Sequence, residues 1–325
     1  QWGERFSLRA LLRQPLLSAH DGQWREWDGQ LYALFGHVDL SELRRYADLG
    51  VQLTQGRGAL RAWVDVQRGQ VQGATADVAL ESVEVTLGPD LQPMALHSVS
   101  GRLGAHLLPR GFEFSTEALQ FQTGDGLRWP GGNVRVQHQS ADGKTAAKGE
   151  LSADRLDLAA LSQIANRLPF GPEVRAQLQT YVPKGLVESL RLNWQGNAQA
   201  ITKYQAKGRV LQFEMASRAA PANPAQAPPP VGTPGIAGLT LDFDFNQTGG
   251  QAELLLQDGA VDLPGVFEDP LVRVGQLSGQ VKWQVDGERI AVQAPNLKFS
   301  NADAQGEAQA TWRTGDAAAP GGARL

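Results

Sequence analysis

Apolar residues recur at every second position through most of this chain, and that alternation restricts the fold more than any other feature. Leu60, Ala62, Val64 and Val66 alternate with polar neighbours. Leu186, Leu190, Leu192 and Trp194 stand opposite Ser189, Arg191 and Asn193. Leu239, Leu241, Phe243 and Phe245 stand opposite Thr240, Asp242 and Asp244. A period of two belongs to a strand with one apolar and one polar face. Turn signals such as Gly69, Gly88-Pro89, Asp142-Gly143 and Asp286-Gly287 divide the chain into roughly fifteen or more strands. Predicted strands include Gly58–Gln67, Val71–Leu80, Val83–Leu87, Glu253–Gln257 and Ala260–Leu263.

Only three helices are convincing. The first runs from about Leu40 to Leu49, with Asp39 and Glu42 forming a capping box. The second follows Asp157, a plausible N-cap, and carries Leu158, Leu161, Ile164, Ala165 and Leu168 at helical spacing. The third starts at Pro172 with a stripe of Val174, Leu178, Tyr181 and Val182. The last two interrupt the run of strands and are expected to lie on its apolar face. His37–Leu43 aligns with Arg155–Leu161, so the strand–aspartate–helix pattern is an internal repeat. The architecture is therefore built from units.

Three short helices cannot cover so much apolar sheet. The sheet packs on itself as a sandwich or barrel, or it curls around something else that is apolar; the alternation alone leaves both open. The expected organisation is a first β unit over 1–153, a helical insert over 154–184 and further strands over 185–217. A Pro/Ala-rich flexible loop over 218–234 and a last run of strands over 235–325 complete it. At 325 residues the chain is long enough for a sizeable core, and both ends read as cuts in a longer protein.

Composition excludes several classes. Net charge is −4 with basic residues scattered, so no footprint for nucleic acid is present. The chain has no cysteine, which removes disulfides and thiolate metal sites. No stretch approaches the ~20 apolar residues that a membrane-spanning helix needs. His20, His37, His97, His106 and His138 have no metal-ligand spacing, and no cofactor is expected. Gly143-Lys144-Thr145 lacks the upstream glycine of a phosphate loop, and no G-x-S-x-G elbow exists. Asp242 and Asp244 read as the wet side of a strand. The tryptophans, Trp63 and Trp283 among them, read as sheet packing in preference to a sugar platform. The chain is not expected to be an enzyme.

Several extended segments carry a resemblance. Leu151–Pro169 with Val182–Trp194, Val261–Pro270 with Leu277–Trp283, Ser300–Gly315 and Arg13–Leu49 resemble the YhdP family of AsmA-like proteins. The likeness spans nearly the whole chain, although no single motif in it carries a mechanism. It implies a mostly β fold: a long curved antiparallel sheet, a taco-like repeating β-groove with a few short helices. It also implies a periplasmic part of an inner-membrane-anchored envelope protein that moves phospholipid between inner and outer membrane. The anchor and most of the implied length are lacking, so the chain resembles an internal segment. Phospholipid acyl chains are the implied partners, with little headgroup selectivity because no basic cluster marks a headgroup site.

The expected groove lining is Leu186, Leu190, Leu192, Trp194, Leu239, Leu241, Phe243, Phe245, Val281, Trp283 and Val285. The competing reading is a β-rich envelope scaffold or adhesin-like module that binds protein or polysaccharide. Whether the apolar face is closed discriminates between the two.

Overall fold

The computed structural model of the chain describes residues 6–14, 26–43, 51–197, 200–219, 232–302, 304–314 and 322–324. The fold is mostly antiparallel strand with a few short helices, as the alternation and the resemblance predict. Two compact units are present.

The first unit comprises Gln1–Ala153 with Ile164–Gly171 and Gly196–Gln199. Its strands are β1 (Phe6–Arg13), β2 (Asp28–Asp39), β3 (Gln52–Gln67), β4 (Gln70–Thr86), β5 (Met94–Leu108) and β6 (Gly111–Thr123). The short β7 (Arg128–Trp129), β8 (Val134–Gln139) and β9 (Lys148–Ala153) follow. From β1 to β6 each strand pairs antiparallel with the next. Strand β6 then pairs with both β7 and β8, and β8 pairs with β9. One helical turn, α1 (Leu40–Leu43), separates β2 from β3. The Asp39 carboxylate accepts the Ser41 amide at 2.9 Å and the Ser41 hydroxyl at 2.6 Å. Residues 44–50, where the predicted helix continues, lie outside the described residues.

Strand β4 was expected as two strands, Val71–Leu80 and Val83–Leu87, and is one. Ser82 adopts φ 51°, the left-handed region, and forms a bulge. Even-numbered Val78 and Leu80 precede it on the buried face, and odd-numbered Val83 and Val85 follow on that same face. The bulge thus shifts the count by one residue and keeps the apolar set together.

The second unit comprises Asp154–Gln163, Pro172–Gln195 and Ala200–Leu325. It opens with β10 (Leu156–Asp157), α2 (Leu158–Ile164) and α3 (Pro172–Tyr181). The strands β11 (Lys184–Asn197), β12 (Ala200–Met215), β13 (Gly235–Asn246) and β14 (Gly249–Asp262) follow. The last are β15 (Leu271–Asp286), β16 (Arg289–Ser300), β17 (Gln305–Arg313) and β18 (Gly322–Arg324). Successive strands from β12 to β18 pair antiparallel. The expected break at residues 258–259 is again absent: Asp258, at φ 49°, lets β14 run through. In β16 the register slips between Ala294 and Leu297, around Pro295, which has no amide hydrogen to give to a ladder. Of the Pro/Ala-rich segment, 220–231 lie outside the described residues.

Asp157 does cap α2, since its carboxylate accepts the Ala160 amide at 2.9 Å. The helix is shorter than its apolar stripe, however. It gives way after Ile164 to a 3-10 turn, Ala165–Arg167. The stripe of α3 is covered only in part, with Leu178 and Tyr181 half-buried. No residue of α3 is buried, and Val174 and Val182 are exposed.

Candidate functional site

Cross-strand partners share a face, so the registers sort side chains without further assumption. In the first unit Phe6, Phe35, Leu60, Val78 and Gly101 form one row across five strands. Leu8, Ala33, Ala62, Ala76, Leu103 and Thr116 form the next. Beyond these, Val64, Ala74, Ala105, Phe114, Val136 and Leu151 continue toward the hairpins. This face is predominantly apolar.

Its reverse is charged. Arg102 donates to Asp77 at 2.7 Å and stands near Glu117, and Arg135 donates to Glu113 at 2.7 Å. The guanidinium of Arg102 holds the Asp77 carboxyl below its ordinary range, chiefly through that hydrogen bond. Trp63 lies on this reverse face with the Arg61 and Arg102 guanidiniums about its ring, 5.9 and 5.8 Å from the centroid. It is therefore occupied by packing, as the sequence reading expected.

The apolar face is covered at one edge and open at the other. At the edge carrying α1 and the longer loops, Val78, Leu80, Val83, Val85, Met94, Leu96 and Val99 form a buried cluster with Val38 and Leu40. Gly56 makes this possible: a Cβ there would fall 2.7 Å from the Leu40 side chain and 3.2 Å from Val83. The leucine of α1 thus seats against the bare glycine. The 3-10 turn reaches the same edge, where Gln92 donates its amide to the Asn166 carbonyl.

At the opposite edge two-residue turns join β3 to β4 and β5 to β6. Only Arg68 and Gly69 link β3 to β4, both with positive φ. Such turns match the strand twist and supply nothing to fold back over the face. Here Leu107, Phe112 and Phe114 are 59%, 46% and 40% exposed, and Leu8 and Leu31 are exposed as well. The loop after β8 is fixed by Asp142, which accepts the Thr145 and Lys144 amides. Those bonds, with the paired Arg110, lower its pKa to about 2.

The second unit repeats the arrangement. Phe245, Gly250 and Trp283 are opposite one another, as are Phe243, Ala252 and Val281, and Leu241 with Leu254 and Val210. Val285 opposes Ile290. Seven expected lining residues from Leu239 to Val285 therefore do share one face. Leu239 is buried at its covered edge beside Leu256, which is wholly inaccessible. Rings of Tyr204, Phe243, Phe245 and Trp283 form a cluster with centroids 5.5–6.2 Å apart toward the hairpin edge. The other face carries Lys207 with Asp244, Arg209 with Asp242 and Lys298 with Glu307.

The expected stripe on β11 is less regular. Leu190, Leu192 and Trp194 are half-buried between exposed neighbours. Leu186 is also half-buried, but the inaccessible residue at that end is Val187, and Glu188 reaches Arg209 of the charged face. Sequence reasoning placed no lining residue in the first unit. Phe112 and Phe114, alternating directly after the Pro109–Gly111 turn, were the available signal.

Among the described residues no cluster of His, Asp or Glu could hold a metal ion, and no helix is long and apolar enough to cross a membrane.

A family model described as YhdP protein matches residues 3–323. No curated protein and no solved structure matches the chain. The chain belongs to the YhdP family, which is not a known enzyme family and points to an envelope protein of the lipid-transport type.

Proposed function

We propose, with membership of the YhdP family as the premise, that this chain is a segment of a passive periplasmic conduit. It carries phospholipid acyl chains along its apolar sheet faces between inner and outer membrane. The observation that supports this most is the open hairpin edge of the first unit. There Leu107, Phe112 and Phe114 stand exposed on a sheet whose reverse is laced with ion pairs. A contiguous exposed apolar area on a folded protein marks a place that something apolar covers.

Energetics fit a conduit better than a pump. An acyl chain of about 16 carbons gains on the order of 12 kcal/mol on leaving water, at ~0.8 kcal/mol per methylene. Transfer from bilayer to an apolar face offers no further gain, because the bilayer already keeps the chain out of water. The segment lowers the barrier to crossing the aqueous space and sets no direction. Net flux comes from a lipid gradient or from a partner.

Extraction and mass spectrometry of the chain purified from a bacterial periplasm test the proposal. Phospholipid is expected to co-purify with the wild type and to be lost from a folded Phe112→Asp variant. Lipid-free wild type with an unchanged melt would instead favour the scaffold reading.

A further inference from the structure

Three polar side chains interrupt the apolar face of the first unit: Thr116, Thr123 and His138. Two are used internally. Thr116 accepts the Val134 amide at 3.2 Å, and Thr123 accepts the Leu127 amide at 3.0 Å while its hydroxyl turns to Asp125. His138 is the third. It lies opposite Phe112 on β6 and Gly149 on β9, with its ring 5.7 Å from that of Phe112. Neither imidazole nitrogen has a hydrogen-bond partner among the described residues. An imidazole left without one in an apolar lining favours any ligand that brings an acceptor.

The charges on the elements packed against His138 are directed elsewhere. Glu113 on β6 pairs with Arg135 on the reverse face, and Lys148 and Glu150 on β9 belong to that reverse face by register. Arg110, at the neighbouring hairpin, pairs with Asp142. Lys144 stands in the loop that follows. The second unit has no equivalent: the registered apolar rows from Leu239–Phe245 across to Gly306–Trp312 contain no titratable side chain.

We infer that His138 is the position that reads the phosphate of a bound phospholipid. This rests on the acyl-chain reading above. A chain lying on Phe112 and Phe114 brings its glycerol-phosphate end to the hairpin edge, beside the imidazole. An imidazole nitrogen offers that phosphate one hydrogen bond that the apolar lining around it does not supply.

The test exposes the chain to vesicles of equal phosphatidylglycerol and phosphatidylethanolamine, then recovers it and quantifies both lipids on wild type, His138→Leu and His138→Lys. His138→Leu should keep its melting temperature and retain about threefold to tenfold less lipid than wild type, for the loss of one hydrogen bond to a phosphate. His138→Lys should retain lipid and enrich phosphatidylglycerol, because a fixed ammonium favours the net-anionic headgroup. Bound lipid identical in amount and headgroup ratio in all three would overturn the assignment while leaving the groove intact. Absence of lipid from every variant would overturn the groove reading itself.

Discussion

Val83 and Phe112 stand on the same face of one sheet, yet Val83 is 4% exposed and Phe112 46%. The same rule of alternation chose both. What separates them is the edge each lies near. Toward Val83 the chain spends residues on a helical turn, a leucine seated on Gly56 and the loops around Gln92 and Asn166. Toward Phe112 it turns back in the two residues Pro109 and Arg110, which leave that part of the face bare. One half of the face is therefore core, and holds the unit together. The other half is surface made of core residues. An apolar side chain on a strand identifies a face, and the connection at the end of that strand decides whether the face serves stability or binding.

One charge placed at each end separates the two roles. Val83→Asp leaves an unpaired carboxylate in the buried cluster, which costs several kcal/mol. It should abolish the cooperative thermal transition of the first unit by circular dichroism. Phe112→Asp should keep that transition within a few degrees and lose bound lipid. Equal unfolding by both would mean that the hairpin edge is closed. In the second unit Leu256 takes Val83's part, and Leu256→Ala should cost about 2–5 kcal/mol in denaturant melts. Smaller effects probe the helix-bearing edge. Removing the cap with Asp157→Ala should cost about 1 kcal/mol, with faster amide exchange confined to α2.

The smallest effect concerns the hairpin edge. The Asp142 carboxyl titrates at about 2 in the fold against an ordinary 3.8. A depressed carboxyl stabilises above its unfolded pKa and loses that contribution as pH falls through the folded one. The amide resonances of Lys144 and Thr145 should therefore hold steady at about pH 4 and shift near pH 2. A shift complete by pH 4 would show that the turn is not held by this carboxylate.

Much of this was legible in the residues. Alternation gave the strands and the pairing of Phe243 with Phe245 on one face, and Asp39 and Asp157 announced their helices. Bulges were not legible, because Ser82 and Asp258 occupy left-handed backbone that sequence rules reserve for glycine. Each was therefore read as a gap between two strands. The covering of one edge was not legible either. It depends on Leu40 meeting Gly56 and Val83 across the fold, and no local pattern encodes that meeting. The stripe of α3 misled for the same reason: Val174 and Leu178 have helical spacing, but nothing in the sequence says whether a partner face lies beneath them.

Lipid is expected to lie on the apolar face and nowhere else on the sheet. A photo-crosslinking residue placed at Phe112, and separately at Gln120 on the opposite face of the same strand, tests it within one element. Irradiation in the periplasm should attach phospholipid at position 112 and leave position 120 unlabelled. Equal labelling at the two positions, or none at 112, would contradict it.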